Sequence, residues 1–208
     1  FFRIKFLSQS VLLLGPFLGQ ACPHKIVSLP IVFLITSMIQ FEIILGFNSN
    51  ENLGWSVSLS SDGSVLAVGS PKFSFGGQVQ VFDWNGVEWQ QVGYSIESNT
   101  SIGNLGWSVS LSSDGTVLAV GDINFITGDS GYVQIYDWDG TDWIQRGDDI
   151  NGNNNYDLFG QSVSLSADGN TIGIGEMGND KAYIYTWTGS TWELSLIHIS
   201  EPTRLRRI

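Results

Sequence analysis

An eleven-residue phrase that recurs in register constrains this chain more than any other feature. Leu53-Gly-Trp-Ser-Val-Ser-Leu-Ser-Ser-Asp-Gly63 returns as Leu105–Gly115 and, with Phe159, Gln161 and Ala167 substituted, as Phe159–Gly169. Gly54, Gly106 and Gly160 stand 52 and 54 residues apart. A second block, Val79-Gln-Val-Phe-Asp-Trp84, returns as Val133–Trp138 and as Ala182–Trp187. A third is Trp89, Trp143 and Trp192, each five residues after the Trp that closes the second block. The interval shortens from 54 to 49 between the last two copies, and the shortening falls between Gly175 and Ala182, which marks that connection as variable. Upstream, Ile44 and Gly46 align with Ile150 and Gly152, so the pattern begins near residue 44. A unit of this length buries its apolar surface against its neighbours rather than within itself.

Each unit reads as four short strands. Ser56–Ser60 alternates Val57 and Leu59 against serines, a half-buried strand of period two. Ser-Asp-Gly then makes a tight turn in which Asp62, Asp114 and Asp168 accept backbone N–H groups and Gly63, Gly115 and Gly169 take positive φ. Val65–Gly69 is an apolar run and reads as a more buried strand. Gln78–Trp84 alternates again, Asn85-Gly86 (Asp139-Gly140 in the second unit) is a hairpin signal, and Glu88–Val92 is the fourth strand. No stretch has helical period. Four strands in about 50 residues is one β-propeller blade. The expected fold is all-β: a β-propeller sector of about three four-stranded antiparallel blades over 44–193, with units near 53–104, 105–158 and 159–193. A closed propeller takes about four to eight blades, so the missing blades of a larger parent chain are expected partners.

The ends read differently. The first residue is Phe, which suggests a fragment. Residues 1–43 are an apolar segment. Arg3 and Lys5 precede Phe6–Leu18, and Gly19-Gln20-Ala21 follows, the order of a secretory signal. Ile26–Phe47 is a second apolar run, long enough to span a membrane but carrying Pro30 and Glu42. Three readings stay open: translated non-coding or misjoined sequence, a signal or anchor, and genuine domain core. A membrane partner follows only from the second. Leu194–Arg204 resembles the in-frame translation of a sequencing-library adapter, so 194–208 is set aside as an artefactual tail.

Charge narrows the function. Residues 44–193 hold 18 acids against Lys72, Arg146 and Lys181, within a chain of net charge -11. Phosphate binding needs a Lys/Arg face, so nucleic acid is not an expected partner. Anionic lipid headgroups are disfavoured for the same reason. All eight Trp lie in this region, whereas Cys22, His24 and His198 lie outside it. Thiol or imidazole nucleophiles, Ser-His-Asp triads and Cys/His zinc sites are therefore excluded from the repeats.

The repeats resemble the FG-GAP repeats of integrin-α-type propellers. Phe159-Gly160 matches the FG element, with Leu-Gly at 53–54 and 105–106, and Gly69-Ser70-Pro71 resembles the GAP element. Gly121-Asp122-Ile123 and Gly175-Glu176-Met177 keep only its glycine. The resemblance covers about 44–193. It implies an extracellular or cell-surface, non-enzymatic propeller for adhesion, with a protein or glycan ligand. Many such repeats place an Asp/Asn-rich calcium loop between their first two strands. Here that connection is only Ser-Asp-Gly, and one carboxylate cannot supply the six to eight oxygens that calcium prefers.

Several side chains remain as candidates. Asp122, Asn124, Thr127, Asp129 and Ser130 place oxygen donors along one loop, and Asp122, Asn124 and Asp129 are the candidate calcium ligands. The counterpart loop 70–77 contains Lys72 and no acid. No other cofactor and no catalytic residue is expected. Asn151–Asp157 is an Asn/Gly-rich turn that can present oxygens or contact a glycan. Asp148-Asp149 is a carboxylate pair, but adjacent strand residues point to opposite faces, which argues against a shared acid/base site. The Trp pairs 84/89, 138/143 and 187/192 are sugar-stacking platforms or, more simply, packing within each blade. Asn99-Thr-Ser101 fits a glycosylation acceptor. The leading reading is presentation, with rigid blades holding variable loops such as 70–77, 122–131 and 176–181. Two alternatives stay open: a propeller that scaffolds secreted hydrolase or lyase chemistry, and a purely structural array.

Overall fold

The computed structural model describes Ile44, 51–72, 76–99, 103–123 and 130–195. All of these fall in one unit, Phe41–Ile208. The apolar segment 1–43 and the tail beyond Ser195 lie outside the described residues.

Each repeat folds as an antiparallel meander. Strands β1 (Ser56–Leu59), β2 (Val65–Ser70), β3 (Gln78–Trp84) and β4 (Trp89–Gln91) form the first sheet in that order. A two-residue strand, β5 (Ile96–Glu97), pairs the other half of the β3 edge. The second sheet repeats this with β6 (Ser108–Leu111), β7 (Val117–Asp122), β8 (Tyr132–Trp138), β9 (Trp143–Gln145) and β10 (Ile150–Asn151). The third contains β11 (Phe159–Leu165), β12 (Thr171–Glu176), β13 (Lys181–Trp187) and β14 (Trp192–Leu194). A 3₁₀ turn, Met177–Asn179, fills the shortened connection of the third repeat. These sheets are three blades of a β-propeller. Leu194 pairs with Tyr185, so the outer strand runs one residue into the segment set aside as tail, and the Ser195 N–H beyond it donates to the Ile184 carbonyl. Edge pairing needs only backbone groups, which any sequence supplies.

The serine alternation has a different meaning from the one its polarity suggests. The serines face the next blade, not water. Ser56 Oγ donates to the Gly106 carbonyl at 2.8 Å, and Ser108 Oγ to the Gly160 carbonyl at 2.7 Å. The Leu111 N–H donates to Ser58 Oγ, and the Leu165 N–H to Ser110 Oγ, both at 2.9 Å. The Ser61 N–H donates to the Ser113 carbonyl, and the Ser113 N–H to the Ala167 carbonyl. Every rung is repeated one unit on.

Between the rungs, small residues let the backbones close. A Cβ on Gly69 would collide with the Gly106 carbonyl, and one on Gly121 with the Gly160 carbonyl. Gly106 and Gly160 themselves sit at φ +86, where only glycine is unstrained.

The core is therefore two inter-blade seams. Ala67, Val79 and Val81 of the first blade pack on Val109, Leu111, Leu118 and Val120 of the second. Val117, Ala119, Val133 and Ile135 pack on Phe159, Ile172 and Ile174 of the third. A buried Val, Leu or Ile contributes about 1.5–3 kcal/mol and a neutral hydrogen bond about 1 kcal/mol. The apolar clusters thus supply most of the stability, and the serine rungs fix the register. Val57 and Leu59 are 62% and 53% exposed, whereas their equivalents Val109 and Leu111 are 8% and 7% exposed. Among the described residues no blade faces the first of these surfaces.

Candidate functional site

The strand directions sort the connections onto two ends. One end carries the Ser-Asp-Gly turns and the Trp hairpins. The other carries the β2–β3, β7–β8 and β12–β13 loops, together with the lead-in to each first strand.

At the turn end the polar groups are engaged locally. One Asp62 carboxylate oxygen accepts from Ser60 Oγ at 2.7 Å and from the Ser64 N–H and hydroxyl at 3.0 and 2.9 Å. Asp114 repeats the set with Ser112 and Thr116, and Asp168 with Ser166 and Asn170. The serine hydroxyl is the largest influence and, with the backbone N–H, holds these carboxyls below their ordinary range, Asp62 at about 2. Gly63, Gly115 and Gly169 close the turns at φ 76, 72 and 67. The Trp pairs 84/89, 138/143 and 187/192 meet edge-tilted, with ring centroids 5.6, 5.4 and 5.3 Å apart. Two of them also reach across a seam: Trp138 and Trp143 cover Gly93, and Trp187 and Trp192 cover Gly147.

At the loop end, Asp122 is buried at the end of β7. One carboxylate oxygen accepts the Asn104 N–H at 2.7 Å, and the other accepts the Tyr132 hydroxyl at 2.8 Å. Asn104 Nδ2 in turn donates to the Ile123 carbonyl at 2.7 Å. Burial raises the Asp122 carboxyl, and these hydrogen bonds partly offset the rise. Burial and the neighbouring Asp122 charge push the Tyr132 hydroxyl well above its ordinary value. This arrangement clamps the lead-in of the second blade to its own loop. The other candidate calcium ligands, Asn124 and Asp129, lie outside the described residues, as does Thr127. Among the described residues no three His, Cys, Asp or Glu side chains gather as a metal site. The equivalent position in the third blade is buried Glu176, whose partner Tyr183 is pushed up to about 12, chiefly by burial.

Asp148 and Asp149 are not in a strand. They occupy the connection between β9 and β10, so the alternation expected of strand residues does not apply. Both line one open cleft of about 360 Å³ with Ile150, Asn151, Tyr185 and Trp192. One Asp149 oxygen accepts from Gln134 Nε2 at 3.0 Å and Gln145 Nε2 at 2.7 Å, which holds the carboxylate in place. In the Asn/Gly-rich turn, Asn154 Nδ2 donates to Asp157 at 2.7 Å, and the Asp157 carbonyl accepts the Gly178 N–H. The turn is thus tied to the 3₁₀ segment. Asn99 is exposed, and Thr100 and Ser101 lie outside the described residues.

Two features escaped the sequence reading. Trp55 and Trp107 meet across the first seam, tilted by 50°, with centroids 4.6 Å apart. The signal was present, since both hold the third position of the repeated phrase. Arg146 pairs with Asp137 of its own blade and reaches across the second seam to Gly169 and Asn170. A lone Arg after a repeated Trp carries no motif.

The sequence matches no protein-family model and no curated protein. Solved structures do resemble the fold. A complex of KlAtg21 with the coiled coil of AgAtg16 is similar at TM-score 0.50 and 15% identity, over 65% of this chain and 40% of that one. Sqt1 of Saccharomyces cerevisiae gives 0.48 and 12%, over 71% and 36%. The periplasmic gluconolactonase PpgL of Pseudomonas aeruginosa gives 0.45 and 16%, over 63% and 38%. At these identities the likeness extends to the propeller fold alone, and this chain spans between 36% and 40% of those chains.

Proposed function

We propose that this chain is a non-enzymatic segment of an extracellular or cell-surface β-propeller of the FG-GAP kind, which binds a protein or glycan ligand through loops held on rigid blades. The observation that carries this reading is where the repeated polar groups go. The seam serines, the turn aspartates and the Trp pairs are all used in building blades, and they recur unit by unit. The connections between the second and third strands, 70–77, 122–131 and 176–181, differ from unit to unit in length and composition. Connecting loops on a rigid scaffold are where binding residues concentrate. Propeller chemistry would instead need unlike catalytic groups converging on one point. The missing blades of the parent chain are the partners that would cover the open blade faces. A glycan array and a pull-down with the full-length protein test the reading. Binding that is lost when loops 122–131 and 176–181 are exchanged for the 70–77 sequence supports it. Binding that survives every loop exchange, or turnover of a glycosidic or ester substrate, overturns it.

A further inference from the structure

The second seam contains a bound guanidinium of the chain's own. Arg146 Nε donates to one Asp137 oxygen at 2.7 Å, and Nη2 pairs with the other at 2.5 Å. Nη1 donates to the Gly169 carbonyl at 3.1 Å and to Asn170 Oδ1 at 3.3 Å. The guanidinium carbon lies 5.7 Å from the Trp187 ring centroid. A fork on a carboxylate, a carbonyl acceptor and an indole face make up a complete arginine site.

The repeat places the same groups in the first seam. Asp83 stands where Asp137 does, Gly115 where Gly169 does, Thr116 where Asn170 does, and Trp138 where Trp187 does. One position breaks the series: Val92 stands where Arg146 does. The space that a guanidinium would fill is a cleft of about 260 Å³, lined by these five residues together with Val65, Asp114 and Trp143. Among the described residues the Asp83 carboxylate has no ion-pair or hydrogen-bond partner. The buried indole N–H of Trp143 has no acceptor, whereas its equivalent on Trp192 donates to the backbone carbonyl of Arg146 at 3.0 Å. A guanidinium only donates, so this N–H is open to a backbone carbonyl of an incoming segment and not to its arginine head.

We propose that the first-seam cleft is a guanidinium site that takes an arginine side chain from a polypeptide partner. Asp83 receives the fork, the Gly115 carbonyl accepts a further N–H, and Trp138 stacks on the plane. Lysine fits less well, because one ammonium cannot make the paired bonds and the flat stacking contact together. The net charge of -11 also draws cationic segments toward the molecule. The site deepens the binding reading above and rests on it, but it lies in a seam at the turn end and not in the variable loops.

The test is a titration of the full-length protein with Nα-acetyl-argininamide, followed at the Trp138 and Trp143 indole resonances, with Nα-acetyl-lysinamide as the control. The expected result is saturable shifts at these two indoles, with the arginine compound preferred by about tenfold or more. Asp83→Asn loses that affinity by a similar factor. Val92→Arg fills the cleft and abolishes the shifts. Arg146→Val opens the second seam and adds a second set of shifts at Trp187 and Trp192. No saturable shift in the wild-type protein, or equal binding by Asp83→Asn, overturns the site. The other indole resonances report whether each variant is folded. A ligand found by pull-down that binds Val92→Arg and the wild type equally also overturns the site, and leaves the loop reading standing.

Discussion

In the seam between the second and third blades an arginine lies across the carboxylate of Asp137 and the face of Trp187. In the seam between the first and second, valine stands at that position and the carboxylate of Asp83 faces an open cleft. The serine rungs, the close glycines and the apolar clusters are the same in both. The rungs tie serines to the opposing backbone and the glycines let backbones touch, so both must recur wherever blade meets blade. The peripheral side chain makes no such demand, and there the repeats are free to diverge.

The largest expected effect breaks the comparison at the backbone. Gly121→Ala drives a Cβ into the Gly160 carbonyl and loses on the order of 3 kcal/mol of stability. Gly175→Ala meets only the movable Ser162 hydroxyl and its neighbours within one blade, and changes stability by less than about 1 kcal/mol. Urea unfolding of the two variants compares them directly. Equal losses would mean that the glycines serve their own sheets and not the seams.

Next comes the divergent side chain. Arg146→Met removes a partly buried fork from Asp137 and costs about 1–2 kcal/mol, with part of the loss masked at high salt. Val92→Arg rebuilds the fork on Asp83 and gains up to about 1 kcal/mol. Thermal unfolding at low and high salt checks both signs.

A smaller effect separates rungs that face a blade from those that do not. Ser110→Ala leaves the Leu165 N–H without its acceptor and costs about 1 kcal/mol. Ser164 occupies the equivalent place in the third blade with no blade opposite it among the described residues, and Ser164→Ala costs less than about 0.5 kcal/mol.

The smallest effects are in pH dependence, and the two ends of the blades differ in sign. The turn carboxyls release their protons more readily when folded. The stability they contribute is complete above the unfolded value of 3.8 and is lost as the pH falls toward about 2, where Asp62 titrates. Asp114 and Asp168 act in the same direction. Asp122 holds its proton more tightly when folded. Its contribution is present at low pH and fades as the pH rises through its raised value. Asp114→Asn should flatten the acid limb of a stability-against-pH curve, and Asp122→Asn should steepen the rise toward neutral pH.

Most of the blade plan was legible in the sequence. Period-two alternation, Ser-Asp-Gly and Asn-Gly marked the strands and turns to within a residue or two, because those signals are local. What the sequence concealed was non-local. A serine bonded to water and a serine bonded to the next blade have the same side chain, and only the opposing Gly106 and Gly160 carbonyls tell them apart. The short β5 and β10 were missed because two residues carry no period. Of the candidate site, the local engagement of the turn aspartates was foreseeable. The Asp83 cleft was not, since its meaning comes from an arginine one repeat away.

The central claim is that these repeats are blades locked to one another through their serines. Amide hydrogen exchange at Leu111 and Leu165 tests it most directly. Ser58→Ala should speed exchange at Leu111 and leave Leu165 protected, and Ser110→Ala should do the reverse. Protection at both amides that neither substitution changes would contradict the account.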